Sequence, residues 1–158
     1  MKNFSLPGSL AALLMMTPLV CATIPGAVAQ NAQTAQRLNP NSATPAQLKS
    51  VAGLNEELIA EIQKHKPYAT MGAFNKVIRG KLSADQAGKL YTSLFVPIHL
   101  NTASREDIAL IPGMTPRMIG EFLEYRPYAD MAQFNREIGK YVDAAELARL
   151  GSYVTVQK

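Results

Sequence analysis

The sequence predicts an all-α protein whose mature part holds two tandem copies of a four-helix unit. Three observations support this prediction: an internal repeat, recurring helix-capping patterns and apolar residues at helical spacing. Residues 39–98 align with residues 99–158 at a constant shift of 60, without a gap, and fifteen of the sixty pairs are identical. We call residues 39–98 the first segment and residues 99–158 the second segment.

The chain begins with a pattern typical of a secretory signal peptide. Lys2 gives a charged start, residues 9–28 are almost wholly apolar or small, and an A-x-A cleavage site ends at Ala29. We therefore predict that residues 1–29 are removed near Ala29/Gln30 and that the mature protein is periplasmic or secreted. An uncleaved membrane anchor is the alternative. The polar residues 30–38 are predicted to form a flexible lead-in.

Each segment then opens with a capped helix and a hairpin. Thr44 to Gln47 and Ser104 to Asp107 have capping-box spacing, so a short helix is expected to run to about Val51 and Ile111. Gly53 and Gly113 are predicted to form the turn that follows, because a sharp helix-to-helix turn requires a positive φ, which glycine adopts readily. The second helix of each segment carries apolar residues at helical spacing and stops before Pro67 or Pro127.

Two more helices complete each segment. Thr70 and Asp130 are predicted to cap the third helix, and the stretches that begin at Ser83 and Asp143 are predicted to open the fourth. Each segment closes with a β-branched and aromatic stretch, Leu94 to Ile98 and Tyr153 to Val156, in which we expect short extended segments that could pair. Tyr68, Tyr128, Phe74 and Phe134 are predicted to pack in the core.

Composition limits the chemistry that the mature chain can perform. Its only cysteine, Cys21, lies in the predicted signal peptide, and His65 and His99 are isolated from other metal-ligating residues, so no metal site is expected. No nucleophile, acid and base combination is apparent, so we predict neither an enzyme nor a cofactor or small-molecule substrate. Without Lys2, 15 basic residues face 12 acidic ones, and this net charge of +3 is compatible with a polyanion partner.

The two hairpins carry a family resemblance. Val51-Ala52-Gly53-Leu54-Asn55 and Ile111-Pro112-Gly113-Met114-Thr115 resemble the turn of a helix-hairpin-helix motif. With the Asn-containing stretches before them and the later Pro-Tyr pairs, both segments look like the ComEA family of competence DNA receptors. The resemblance implies sequence-independent binding of the double-stranded DNA backbone during DNA uptake. It also implies a partner such as an inner-membrane uptake channel or another periplasmic protein.

The resemblance also implies which residues contact DNA. In the family, main-chain amides of the hairpin point at a phosphate at the N-terminus of the second helix, and basic side chains add to the attraction. The corresponding positions are Gly53, Leu54, Asn55, Lys64 and Lys66 in the first segment and Gly113, Met114, Thr115, Arg117 and Arg126 in the second.

The sequence departs from the family pattern at three points. The usual second glycine of the hairpin is Asn55 or Thr115, and a β-branched threonine adopts a left-handed conformation poorly. Glu56 and Glu57 follow the first hairpin and would repel a phosphate. The first segment has a net charge of +3 and the second −1. Binding through a hairpin therefore favours the second segment, whereas binding through a diffuse basic face favours the first.

Two rival functions follow from the same fold. A structural or scaffolding role, resembling that of the extrinsic photosystem II subunit U, would use the helical units for protein contacts; the missing glycines and the acidic flank favour it. An accessory subunit of a secreted nuclease would instead position DNA for another polypeptide. Gly53 and Gly113 are also compatible with a purely structural turn.

Overall fold

The computed structural model describes residues 37–156, which fold into α-helices joined by short turns. The expectation of an all-α protein is confirmed, because the described residues contain eight helices and two strands of two residues each. The elements are α1 (Pro45–Lys49), α2 (Glu56–Lys64), α3 (Met71–Arg79), α4 (Ala84–Leu90), β1 (Ile98–His99), α5 (Arg105–Ala109), α6 (Pro116–Glu124), α7 (Met131–Ile138), α8 (Ala144–Gly151) and β2 (Val154–Thr155). The predicted signal peptide and most of the predicted lead-in lie outside the described residues.

Every helix begins at a residue whose side chain accepts a main-chain N–H. These N-caps are Thr44, Asn55, Thr70, Ser83, Ser104, Thr115, Asp130 and Asp143. The predicted capping boxes at Thr44 and Ser104 are confirmed, as are the predicted caps at Thr70 and Asp130. The first helices stop two residues earlier than expected, at Lys49 and Ala109, because Ser50 and Leu110 already form the C-caps.

The segment after α2 and the segment after α6 are held by the same side-chain clamp. Asn41 accepts from the Tyr68 amide at 2.7 Å and donates to the Tyr68 carbonyl at 2.9 Å. Asn101 forms the same two bonds with Tyr128, at 2.7 and 2.9 Å. Both tyrosines are buried, as predicted, against Phe74 and Phe134 respectively. The clamp explains why asparagine stands at both positions, since its amide can satisfy one donor and one acceptor at once.

The extended segments pair, but they are shorter than the sequence suggested. β1 and β2 pair in parallel, with Ile98 opposite Val154. Leu94 and Phe95 do not join this ladder; instead Leu38 donates to the Ser93 carbonyl at 2.9 Å and accepts from the Phe95 amide at 3.0 Å. The predicted lead-in therefore ends in a residue that is hydrogen-bonded to the first segment.

The described residues pack around one hydrophobic core. They all fall within a single compact unit. The rings of Phe95 and Tyr153, from different segments, meet edge to face at 4.8 Å. The buried carboxylate of Asp107, on α5, accepts from the Gly72 amide of α3 at 2.5 Å and from the Ser104 hydroxyl at 2.9 Å. These contacts join the two segments through apolar and polar interactions together. Within residues 37–156 no helix is long and apolar enough to span a bilayer.

Candidate nucleic-acid interface

The two hairpins, turn 1 (residues 51–55) and turn 2 (residues 111–115), have the same backbone geometry. Gly53 has φ +88° and Gly113 has φ +78°, so the predicted need for a positive φ is confirmed at both. The amides of Leu54 and Met114 donate to the carbonyls of residues 51 and 111, at 3.3 and 3.0 Å, which closes each turn. Both glycines are exposed; a Cβ on Gly53 would meet nothing within 4 Å, whereas one on Gly113 would approach the side chain of Arg149.

The expectation that Asn55 and Thr115 occupy a glycine-like position is wrong. Asn55 has φ −107° and ψ 170°, and Thr115 has φ −103° and ψ 155°, so both backbones are extended. Each residue is instead the N-cap of the following helix, where its side-chain oxygen accepts from Leu58 or Met118. Asparagine and threonine are favoured N-caps, so the missing second glycine does not distort either turn.

The flanks of turn 1 are acidic. Glu56 and Glu57 occupy the first turn of α2, where carboxylates are stabilised by the helix dipole. Glu56 forms an ion pair with Lys49 at 2.8 Å, and Glu57 forms one with Lys81 at 2.6 Å. Lys81 also holds the pKa of the Glu57 carboxyl below its usual range. A phosphate that approached this turn would meet two negative charges before it reached the amides.

At the corresponding positions, turn 2 is followed by one neutral and one basic residue. Pro116 and Arg117 replace the two glutamates, and the first turn of α6 contains no acidic residue. The Arg117 side chain is 79% exposed and makes only a loose ion pair with Glu121, at 3.9 Å. Among the hydrogen bonds of the described residues, none uses the amides of Gly113, Thr115 or Arg117 as donor. These amides are therefore available to an anion at the N-terminus of α6.

The side chain of Arg149, on α8, is hydrogen-bonded to turn 2. Its guanidinium donates to the Pro112 carbonyl at 2.6 Å, and a Cβ on Gly113 would lie 3.4 Å from Nη2. Two further bonds of 2.6 Å to Glu146 fix the guanidinium in place. Sequence reasoning missed Arg149, because the only local signal is the three-residue spacing from Glu146, whereas Pro112 is 37 residues away. Turn 1 has Lys89 and Gln86 at the corresponding positions.

The other predicted basic residues lie away from the turns. Lys64 ends α2 and is 70% exposed, whereas Lys66 donates to the Ala43 carbonyl at 2.8 Å. Burial lowers the pKa of Lys66 and also that of Arg126. Lys64 is the last residue of the nine-residue helix α2, so its Cα lies about 12 Å along the helix axis from the first residue, and Lys66 and Arg126 follow the C-caps of α2 and α6. The structure thus brings Arg117, but not Lys64, Lys66 or Arg126, to a hairpin.

Leu54 and Met114 contribute main chain rather than side chain to the candidate site. Both side chains are half-buried and pack against the core, which anchors each turn. The amide of each residue is already bonded within its turn. The site in turn 2 therefore consists of the amides of Gly113, Thr115 and Arg117, the Arg117 side chain and the Arg149 support.

No family model, no curated protein and no solved structure matches the chain.

Proposed function

We propose that the chain is an exported, non-enzymatic protein that binds double-stranded DNA by its phosphate backbone and acts as a receptor in DNA uptake. The observation that carries this proposal is turn 2, where free amides and an exposed arginine meet at the N-terminus of α6. A ComEA-like ancestry and a periplasmic or secreted location, which the sequence suggests, belong to the same proposal. An uptake channel in the inner membrane is the partner that such a receptor requires.

Turn 2 suits a phosphate for electrostatic reasons. Unpaired amides at a helix N-terminus carry partial positive charge and donate hydrogen bonds without a side-chain entropy cost. Arg117 adds a full charge beside them, and Arg149 holds the turn in one conformation. Contacts of this kind address phosphates and not base edges, so binding should be independent of sequence and sensitive to salt.

The proposal is tested by titrating the mature protein with random-sequence duplex DNA at several salt concentrations. We expect affinity to fall steeply as salt increases, and Arg117→Glu to reduce the slope of log affinity against log salt by at least about 1. Lys89→Glu is the matched control, because Lys89 is an exposed cation on α4. Absence of duplex binding at low salt would refute binding through turn 2. Equal losses of duplex affinity in Arg117→Glu and Lys89→Glu would refute it as well.

A scaffolding role is the second candidate, and turn 1 favours it. There the helix N-terminus is flanked by Glu56 and Glu57, both already paired with lysines. A protein that contacted DNA through two equivalent hairpins would not place carboxylates at one of them. Absence of duplex binding at every salt concentration would favour the scaffolding role.

A further inference from the structure

A second surface feature lies on the second segment, where the C-terminal end of α6 meets the residues that follow α7. Tyr125, at the end of α6, and Tyr141, after α7, place their hydroxyl oxygens 2.8 Å apart. Their ring centroids are 6.4 Å apart, with 47° between the ring planes. Tyr141 is the exposed large hydrophobic residue of the described chain, at 36%. We call Tyr125, Tyr141, Arg117 and Lys140 the tyrosine patch.

The two rings of the tyrosine patch are flanked by cations. The Arg117 guanidinium lies 5.7 Å from the centroid of the Tyr141 ring, and the Lys140 ammonium lies 5.3 Å from that of Tyr125. Both distances are within the range of cation–π attraction. A cation above an aromatic ring is attracted to a phosphate as well, so it can move aside and leave the ring face to another planar group.

The charge that the patch presents to solvent is positive. Arg117 is paired with Glu121, and Lys140 with Glu137. The side chains of Glu121 and Glu137 are only 15% and 13% exposed, whereas those of Arg117 and Lys140 are 79% and 54% exposed. In these two ion pairs the cations are therefore more accessible to an anionic partner than the carboxylates are to a cationic one.

The first segment has no such patch. The residues that align with Arg117 and Tyr141 are Glu57 and Lys81, which form an ion pair of 2.6 Å. Tyr125 aligns with His65, which lies 3.1 Å from Glu61. Aromatic rings and outward cations therefore occur together only on the segment whose turn is free of flanking carboxylates.

We propose that the tyrosine patch binds single-stranded DNA, with unstacked bases lying on the rings of Tyr141 and Tyr125 and the neighbouring phosphates held by Arg117 and Lys140. Alternating aromatic and cationic groups are the combination that binds single strands without reading sequence, because every base has a face that can stack. This site does not depend on the amides of turn 2 and adds a second mode of binding.

The experiment compares three fluorescent probes of equal length on the mature protein: oligo(dT), an abasic strand with the same phosphates, and a blunt random-sequence duplex. We expect oligo(dT) to bind more tightly than the abasic strand. Tyr141→Ala should weaken oligo(dT) binding roughly tenfold, within the range found for loss of one stacked base, and should leave the duplex within about twofold. Tyr141→Phe, which keeps the ring, should retain oligo(dT) affinity, and Lys81→Ala is the control in the first segment.

The outcomes separate this site from the proposed function. Oligo(dT) binding that requires Tyr141, without duplex binding, would support the tyrosine patch and refute the duplex receptor. Equal affinity for oligo(dT) and the abasic strand in the wild-type protein would overturn the patch, and that measurement depends on no variant folding. Unchanged oligo(dT) affinity in a folded Tyr141→Ala variant would also overturn it and would assign the tyrosines to a protein contact.

Discussion

Because two of its tyrosines are buried, this protein should lose stability at alkaline pH. Burial raises the pKa of Tyr91 to about 12, although Arg79 opposes this shift, and the Tyr91 hydroxyl donates to Asn75 at 2.6 Å. The pKa of Tyr128 is also raised to about 12, mainly by burial. The unfolded chain ionises at the ordinary tyrosine pKa of about 10, so ionisation favours unfolding above that pH.

Tyr91→Phe tests this linkage. The stabilising effect of a neutral Tyr91 is complete below about pH 10 and should be lost as the pH rises toward 12. We expect the free energy of unfolding to fall less steeply across this window in Tyr91→Phe than in the wild-type protein, although the variant starts lower because it lacks one hydrogen bond. Denaturant titrations at a series of pH values measure both curves. Parallel curves would contradict the assignment to Tyr91.

Some residues of the site could be predicted from the sequence and others could not. The turn glycines Gly53 and Gly113 are confirmed, and Arg117 lies in the first turn of a helix, because such positions follow from local spacing. Arg149 could not be found, since its contact with Pro112 depends on how α8 packs in three dimensions. Tyr125 and Tyr141 were missed for the same reason: only tertiary packing brings their hydroxyls together.

At the scale of elements, the two turns offer a matched pair of glycines. Both have positive φ, where an added Cβ costs about 1 kcal/mol or more in any L-residue. A Cβ at Gly53 would meet nothing within 4 Å, whereas one at Gly113 would approach Arg149 at 3.4 Å. The backbone strain from an alanine should therefore be similar in the two turns. Only the substitution in turn 2 would change the proposed DNA site.

Gly53→Ala and Gly113→Ala exploit this match. Each variant should lose about 1 kcal/mol of stability, because alanine disfavours the left-handed conformation. Only Gly113→Ala should also weaken duplex binding, since it shifts the amides that face the phosphate. Thermal unfolding and a duplex titration of both variants provide the comparison. Equal loss of DNA affinity in Gly53→Ala and Gly113→Ala would contradict the proposal that turn 2 alone binds the duplex.

Helices were predicted better than strands. Capping residues lie within four positions of the helix that they start, so Thr70 and Asp130 could be recognised from the sequence alone. The strands depend on residues that are far apart: Ile98 pairs with Val154, and Leu94 pairs with Leu38. Propensity indicates extended backbone near Leu94, Ile98 and Val154 but not at Leu38, and it gives neither the partner nor the length.

At the scale of the whole molecule, the two segments share one core. Phe95 is 3% exposed and packs edge to face on Tyr153, while β1 and β2 join the ends of both segments. Removing the Phe95 ring should cost ~3–5 kcal/mol, because it leaves a cavity between the segments. Folding of either segment should consequently depend on the other.

Phe95→Ala measures this dependence by calorimetry. Both wild-type protein and variant should unfold in one transition, with equal calorimetric and van't Hoff enthalpies. The variant should show a lower melting temperature for the whole molecule. Two resolved transitions, of which only one shifts, would show that the segments fold independently.

The two turns share one backbone geometry but differ in charge, since turn 1 is followed by Glu56 and Glu57 and turn 2 by Arg117. The sequence could suggest the fold of both segments but not which surface is open. The charge totals even favour the first segment, because they sum charges regardless of distance from a turn and include Lys66, which is bonded to the Ala43 carbonyl. In the proposed function, the charge next to each turn, rather than the net charge of each segment, favours the second segment.

The most direct test is an NMR titration of the mature protein with a short random-sequence duplex, in which every main-chain amide is observed. We expect the amide resonances of Gly113, Thr115 and Arg117 to shift with added DNA and that of Gly53 to stay nearly unchanged. Equal shifts at Gly53 and Gly113, or shifts that leave Gly113 unaffected, would contradict the assignment of DNA binding to turn 2.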